Sequence, residues 1–394
     1  MFFSKSSFSK TYSFWQNYLK PKKTWFIPKY SDVIIIDKSG SDLLVPFLEN
    51  LKITIVYNRG ENVNIPCLIY AVILRIFKFD CFYVSYIGAY IKLTSPKVLI
   101  TFIDNNPSFY KLSNYFPNIK TVFIQNGYRS VYCDIFESLS FNKKQHVDYM
   151  LVFGKSVGQL YSKYISGNVL AIGSLKNNSI IRHDYSDIKE KNKVVFISQW
   201  GRKPSNGLFL PNYGIEYELF YKAEKEVLTI ISQWCLVNNF KLEICGRSIF
   251  ESDEEFDFYK QILPSFNFEF SKNESILSSY TCIDKAEIVV FVDSSLGYES
   301  LSRGNKTACF SIRSEILGWK DYSFGWPKKL PNSGPFWTNE IDINQIENIM
   351  NYLINVSDID WKSVVSEILS DIIIYDDGNT KLKELISSFF VKGL

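Results

Sequence analysis

Two series of short, uninterrupted apolar runs, with helical stretches between the runs, constrain this chain more than any other feature. Val33–Ile36, Ile53–Tyr57, Val98–Ile103, Thr121–Gln125, Tyr149–Phe153 and Val169–Ile172 make the first series. Val194–Ser198, Lys241–Cys245, Asn267–Phe270, Ile288–Val292 and Thr307–Ser311 make the second. Runs that stay apolar instead of alternating suit strands covered on both faces, as in parallel sheets with crossover helices. Helices are expected over 41–50, from Ile65, over 214–238, near 254–262, around 274–279 and over 295–303, with two or three more in 342–393. A polar stretch (KNNSIIRHDYSDIKEKNK) separates the two series. The expected fold class is therefore α/β, two Rossmann-like doubly wound parallel-sheet domains facing a cleft. Residues 1–30 form a basic aromatic arm, 31–175 the first domain, 176–192 a linker and 193–340 the second domain. Residues 341–394 are helices placed to pack back across the cleft.

Composition narrows the function classes. The 394 residues are 46% hydrophobic and 22% charged, enough apolar material for sizeable cores. Lys plus Arg number 44 against 41 acids, and a net charge of +3 is no nucleic-acid footprint. The seven cysteines stand at least ten residues apart, which excludes CxxC motifs and favours reduced thiols in a cytoplasm. Two histidines exclude His-rich metal sites. No stretch reaches the roughly 18–20 apolar residues of a membrane span. Ile65–Phe77, which contains Arg75, reads as a buried helix, and no signal peptide is expected. The first thirty residues carry six lysines and no acid, interleaved with Phe2, Phe3, Phe8, Trp15, Trp25 and Phe26. That mixture suits peripheral contact with the anionic inner face of a membrane, or an arm packed on its own domain.

The residues that carry chemistry cluster at strand ends. Asp293-Ser-Ser-Leu-Gly-Tyr-Glu299 leaves a strand and opens a helix, whose first N–H groups can hold a phosphate. Ser294 and Ser295 would line that mouth or cap it, and Gly297 would let a diphosphate or ribose come close. Glu299 stands too late for a capping box and could accept from ribose hydroxyls. Arg202 and Lys203 follow another strand and could neutralise phosphates, and Arg247 after the next strand is a third candidate cation. In the first domain, Asp104 ends a strand and could deprotonate a hydroxyl, or form an Asx-turn before Pro107. Glu61 is a second candidate base. Asp358 and Asp360 form the one Asp-x-Asp, better explained by helix capping, and GxxxxGK[ST], HExxH and GxSxG are absent.

Taken in order, NRGEN-N (58–64), TFIDNN (101–106), QNGYR (125–129), SLGYESLSRG (295–304), FGWP (324–327) and GPFW (334–337) resemble the bacterial surface carbohydrate biosynthesis proteins. The resemblance runs from about 32 to 340 and implies a GT-B-type glycosyltransferase acting on cell-surface glycan from the cytoplasmic side. A more distant similarity is to capsule and O-antigen transferases that use CMP-linked Kdo. It falls on Gln125, Asn126, Gly127 and Tyr128 and on Ser295–Glu299. Those enzymes carry an aspartate, their proposed nucleophile, where this chain has Asn126. An amide cannot form that adduct, so direct displacement with Asp104 or Glu61 as base fits this sequence better.

The expected protein is thus a metal-independent glycosyltransferase of polysaccharide biosynthesis. Its second domain takes a nucleotide-sugar, with CMP-Kdo or a related CMP-ulosonate as the donor the resemblance implies, through Arg202, Lys203, Arg247, Ser294, Ser295, Gly297 and Glu299. Its first domain presents a glycan or lipid-linked glycan with Gln125, Asn126, Gly127 and Asp104 at the cleft. No cofactor or metal is expected. The rivals are a sugar-nucleotide epimerase of the same architecture, a CDP-glycerol or CDP-ribitol polymer phosphotransferase, and a non-catalytic glycan-binding scaffold.

Overall fold

The computed structural model describes residues 21–59, 61–77, 81–132, 134–140, 145–181 and 189–390. Residues 1–20, the larger part of the basic aromatic arm, lie outside the described residues.

The first sheet has six parallel strands: β1 (Val33–Ile36), β2 (Ile53–Val56), β3 (Val98–Thr101), β4 (Lys120–Ile124), β5 (Gln145–Val152) and β6 (Ile165–Ala171). Their spatial order is β2-β1-β3-β4-β5-β6. The apolar runs explain the arrangement directly. Ile34 and Ile36 enter one hydrophobic core while Val33 and Ile35 enter the other, so β1 needs cover on both faces. Cover on the first side comes from helices that include α1 (Ile65–Phe77), α2 (Phe82–Thr94) and α3 (Lys155–Tyr164).

The second sheet has seven strands: β7 (Lys193–Ile197), β8 (Lys241–Cys245), β9 (Glu269–Ser271), β10 (Ile288–Phe291), β11 (Thr307–Phe310), β12 (Ser333–Gly334) and β13 (Trp337–Thr338). Their order is β9-β8-β7-β10-β11-β13-β12, and every pair is parallel except β12 with β13. Strand order reverses between β7 and β10, the place where open α/β sheets leave a crevice at their carboxyl ends.

Between the sheets lies α4 (Leu175–Ser179), which overlaps the start of the stretch expected to be a linker. Its polar sequence has a packing reason. Asn177 and Asn178 are buried, the first bonding Ser302 and the second Asn379. Residues 182–188 lie outside the described residues.

The remaining helices used below are α5 (Tyr217–Asn238), α6 (Ser252–Ile262), α7 (Ile276–Lys285), α8 (Ser295–Ser302), α9 (Arg313–Leu317), α10 (Ile343–Asn355), α11 (Asp358–Leu369) and α12 (Thr380–Ser388). The chain returns to the first lobe after α11. Ile374 N–H bonds Phe153 O at 3.0 Å, and Leu382 and Ile386 of α12 fill the core beneath Val33 and Ile35. At the start of α11, Ser357 Oγ accepts from Asp360 N at 3.1 Å, so Asp360 lies in a helix-capping turn.

Three helices differ from the sequence reading, and one of them, expected around 274–279, runs on as α7 to Lys285. The helix expected over 41–50 runs only Ser41–Leu44 before a 3-10 turn at Val45–Phe47, because Pro46 cannot donate to a continuing helix. Helix α1 is not a buried helix: only Cys67, Ala71 and Leu74 are buried, Ile65, Leu68 and Tyr70 are half-buried, and Ile69, Val72, Ile73, Ile76 and Phe77 face outward. Apolar composition predicted burial, but the lobe covers just one stripe of this helix.

Candidate functional site

A cleft of about 710 Å³ lies between the lobes, where the carboxyl ends of their strands face each other. The second lobe supplies most of its floor: Ser198 and Gln199 after β7, Gly246 and Arg247 after β8, and Asp293, Ser294 and Ser295 after β10. The first lobe supplies Asn126, Tyr128, Ser130 and Asp134 from the loop after β4, with Lys176 from α4. The cleft therefore opens at the reversal of strand order in the second sheet.

The loop after β4 is bolted to the second lobe. Ser295 Oγ accepts from Tyr128 N at 2.7 Å, and Tyr128 Oη donates to Trp326 O at 3.0 Å. Tyr128 stacks on Tyr298, which stacks in turn on Phe324. Asp321 Oδ2 accepts from Val131 N at 2.6 Å and Tyr132 N at 3.2 Å. Tyr132 lies flat on Trp319, ring centroids 4.5 Å apart. These contacts fix the width of the cleft at one end.

Beneath the floor runs a buried polar array. Arg313, at the start of α9, pairs with Asp293 and lies 3.5 Å from Glu224 Oε1 of α5. Burial works against the guanidinium charge, but Asp293 and Glu224 outweigh it and hold Arg313 protonated. Glu224 is fully buried, and that burial pushes its carboxyl up to about 7 despite Arg313. Tyr259 Oη of α6 lies 2.9 Å from Glu224 Oε2 and 2.7 Å from Ser198 Oγ. Ser198 donates to Glu255, which also accepts from Arg247 N and Ser248 N at 2.8 Å each.

One atom in this array has no partner. Asp293 is 7% exposed, and its Oδ1 makes no hydrogen bond among the described residues. Leaving a buried carboxylate oxygen unmatched costs on the order of 1–3 kcal/mol, so such an atom at a cleft floor calls for a donor from outside the protein. Neither Asp293 nor Arg313 stands among the sequence-derived candidates. The signal for Asp293 was its place two residues beyond β10; Arg313 left none, because only the fold brings it there.

The sequence-derived candidates divide. Asn126, Arg247, Ser294, Ser295 and Glu299 line the cleft. Ser294 Oγ accepts from Leu296 N at 3.3 Å and so caps α8. Glu299 accepts from Ser174 at 2.5 Å and Tyr280 at 2.6 Å, and burial raises its proton affinity against those two bonds. Gly127 approaches Ser295 closely, as a Cβ there would sit 3.3 Å from the serine hydroxyl.

The others are placed elsewhere, each for a physical reason. Asp104 is fully buried, and its carboxylate takes bonds from Arg129, Tyr161 and Asn126 N, so it anchors the β4 loop and does not line the cleft. Glu61 is exposed, away from the cleft lining, and accepts from Arg59 N at 3.1 Å. Gln125 is buried, with its amide engaged by Gly127 O and Phe153 N at 2.8 Å each. Gly297 lets α8 lie on β10, since a Cβ would stand 2.1 Å from the Phe291 ring. Arg202 is outside the cleft and paired with Glu254 and Glu251. Lys203 is likewise outside, paired with Glu218 at 3.0 Å. The two cations are adjacent in sequence to a strand end, but the acids of α5 and α6 draw them onto the outer surface. Asp134, absent from the sequence-derived list, lies in the cleft wall, and burial raises its proton affinity against the opposing charge of Arg129.

Comparison with known proteins fits this geometry. The two lobes and their cleft define a GT-B-type architecture. A family model described as "putative O-antigen biosynthesis protein" matches residues 122–389, more than half of the sequence. The chain belongs to this O-antigen biosynthesis family. No curated protein matches it. Among solved structures, the chain is similar to a "putative UDP-N-acetylglucosamine 2-epimerase" from Listeria monocytogenes, at 10% identity and TM-score 0.54 over 95% of this chain and 98% of that one. It is similar to the UDP complex of MnaA from S. aureus, at 12% identity and TM-score 0.51 over 93% and 95%. It also resembles a variant of the wall teichoic acid polymerase TagF, at 11% identity and TM-score 0.50 over 98% of each chain. At such identities the likeness is one of fold. Among the described residues no helix is long and apolar enough to cross a membrane, and no three His, Cys, Asp or Glu side chains gather as metal ligands.

Proposed function

We propose that the chain is a glycosyltransferase of O-antigen assembly that holds a nucleotide-sugar in the cleft between its lobes. The observation that carries the reading is Asp293 Oδ1, buried, unmatched and at the floor of the cleft where the second sheet reverses order. A ribose or sugar hydroxyl supplies the donor this atom lacks. Arg247 and Lys176 offer positive charge to the phosphate, and the mouth of α8 adds its dipole. Glu299, in the same wall, accepts from a further hydroxyl.

In the transfer step the anomeric carbon–oxygen bond to the phosphate breaks as an acceptor oxygen attacks that carbon. The acceptor proton passes to a carboxylate, and the leaving phosphate takes the bonding electrons under the cationic wall. Asp134 is the base we favour: it comes from the first lobe, lines the cleft and has raised proton affinity. No metal takes part in this scheme, and the work is done at the cytoplasmic face of the membrane. The donor we favour is a CMP-ulosonate.

A thermal-shift screen against CMP, CDP, UDP and GDP tests the donor class, since a ligand of the folded form raises the melting temperature. One nucleotide should shift the protein, and Arg247→Ala should weaken that nucleotide about tenfold. Arg202→Ala and Lys203→Ala should leave its affinity within about twofold, because both side chains face away from the cleft. No shift by any nucleotide rejects the reading. A second reading, a sugar-nucleotide epimerase, draws on the UDP-N-acetylglucosamine 2-epimerase described above as a similar structure. Conversion of UDP-N-acetylhexosamine without acceptor would establish it in place of transfer.

A further inference from the structure

The outer face of α1 is apolar and has no cover among the described residues. Ile69, Val72, Ile73, Ile76 and Phe77 are each 48–79% exposed. Beside them Trp25, Phe26 and Ile27 are 64–82% exposed. The two groups form one surface because the strands Lys22–Thr24 and Asn62–Asn64 pair in parallel just ahead of α1. Asn64 is the joint: its Oδ1 accepts from Cys67 N at 2.9 Å, and its Nδ2 donates to Phe26 O at 2.9 Å. Exposed apolar side chains in this number on one face mark an interaction site.

Charge selects the partner. Residues 21–31 and α1 together carry Lys22, Lys23, Lys29 and Arg75 and no carboxylate. The flanking acids are engaged: Asp32 accepts from Tyr30 Oη and Lys52 N, and Glu61 from Arg59 N. Aromatic and aliphatic side chains rimmed by cations match a bilayer with acidic headgroups, where apolar burial and attraction to phosphate act together. At 13 residues α1 is about 20 Å long, too short to cross a hydrocarbon core of roughly 30 Å, so it would lie in the plane of the surface.

We propose that this face of the first lobe docks on the surface of a bilayer containing anionic phospholipid. The placement suits the cleft. Tyr83, in the first turn of α2, accepts from Asn106 Nδ2 at 3.1 Å, which puts the start of α2 at the carboxyl end of the first sheet, the end that faces the cleft, while Thr94 O at its other end accepts from Ser31 N just ahead of β1. A docked first lobe would hold the cleft close to a membrane that carries lipid-linked glycan.

Co-sedimentation of the full chain with vesicles of phosphatidylcholine and phosphatidylglycerol (7:3), and of phosphatidylcholine alone, tests the proposal. The wild type should pellet with the anionic vesicles and much less with the neutral ones, and binding should fall as salt rises. Ile73→Glu/Ile76→Glu should lower partitioning at least tenfold with an unchanged melting temperature, since both side chains are outside the core. Lys22→Glu/Lys29→Glu should weaken binding to anionic vesicles and leave the weak neutral binding unchanged. A wild type that stays in the supernatant with anionic vesicles overturns the proposal, as does equal pelleting of all variants. So does light scattering that finds a dimer which the Ile73→Glu/Ile76→Glu variant alone loses, as a second copy would then be the occupant. None of these readouts depends on nucleotide in the cleft.

Discussion

The ring of Tyr128 lies parallel to that of Tyr298, with centroids 4.9 Å apart and planes 4° from each other. One residue belongs to the first lobe and the other to the second, so this stack joins the halves across the edge of the cleft. Stacked aromatic pairs contribute about 0.5–1.5 kcal/mol beyond the area they bury. A double-mutant cycle with Tyr128→Leu and Tyr298→Leu, read by urea denaturation, should return a coupling energy in that range. Simple additivity would mean that the lobes are held elsewhere.

Asp104 offers a direct contrast between an anchor and a base. Asp104→Ala leaves Arg129 buried without its main partner, and breaking a buried pair in this way costs about 3–5 kcal/mol. The variant should therefore show a markedly lower melting temperature. Full stability with transfer abolished would instead return Asp104 to the role of base.

Gly297→Ala should destabilise the second lobe by roughly 1–3 kcal/mol through overpacking, as the Phe291 ring is buried and has nowhere to move. Nucleotide affinity, measured at a temperature where the variant is folded, should stay near that of the wild type. A loss of affinity without loss of stability would show that Gly297 meets the ligand after all.

Glu224 makes the second lobe sensitive to pH. Burial raises its carboxyl from an ordinary 4.5 to about 7, so the folded form favours the protonated acid. The stability this contributes is complete below about 4.5 and is lost as pH rises through about 7. Glu224→Gln cannot ionise and should flatten the melting-temperature profile between pH 5 and 8. An unchanged profile would show that Arg313 keeps Glu224 ionised throughout.

The sequence by itself determined the architecture. Val33–Ile36 is apolar at every position and must be covered on both faces, and the same demand made at Ile288–Phe291 dictates a second layered sheet. It also located the strand ends where Asn126, Arg247, Ser294, Ser295 and Glu299 meet the cleft. Only the tertiary structure decided which polar residues there are open to a ligand. Arg202 and Asp104 read as well as any candidate until α6 brings Glu254 to the first and the β4 loop brings Arg129 to the second. Conversely, Arg313 and Asp293 become one site only when β10 and the start of α9 come together across β11, 20 residues apart in sequence. Local pattern sets where a chain is apolar and where it turns. Whether a charge is satisfied depends on partners that distant segments deliver, and those follow from packing.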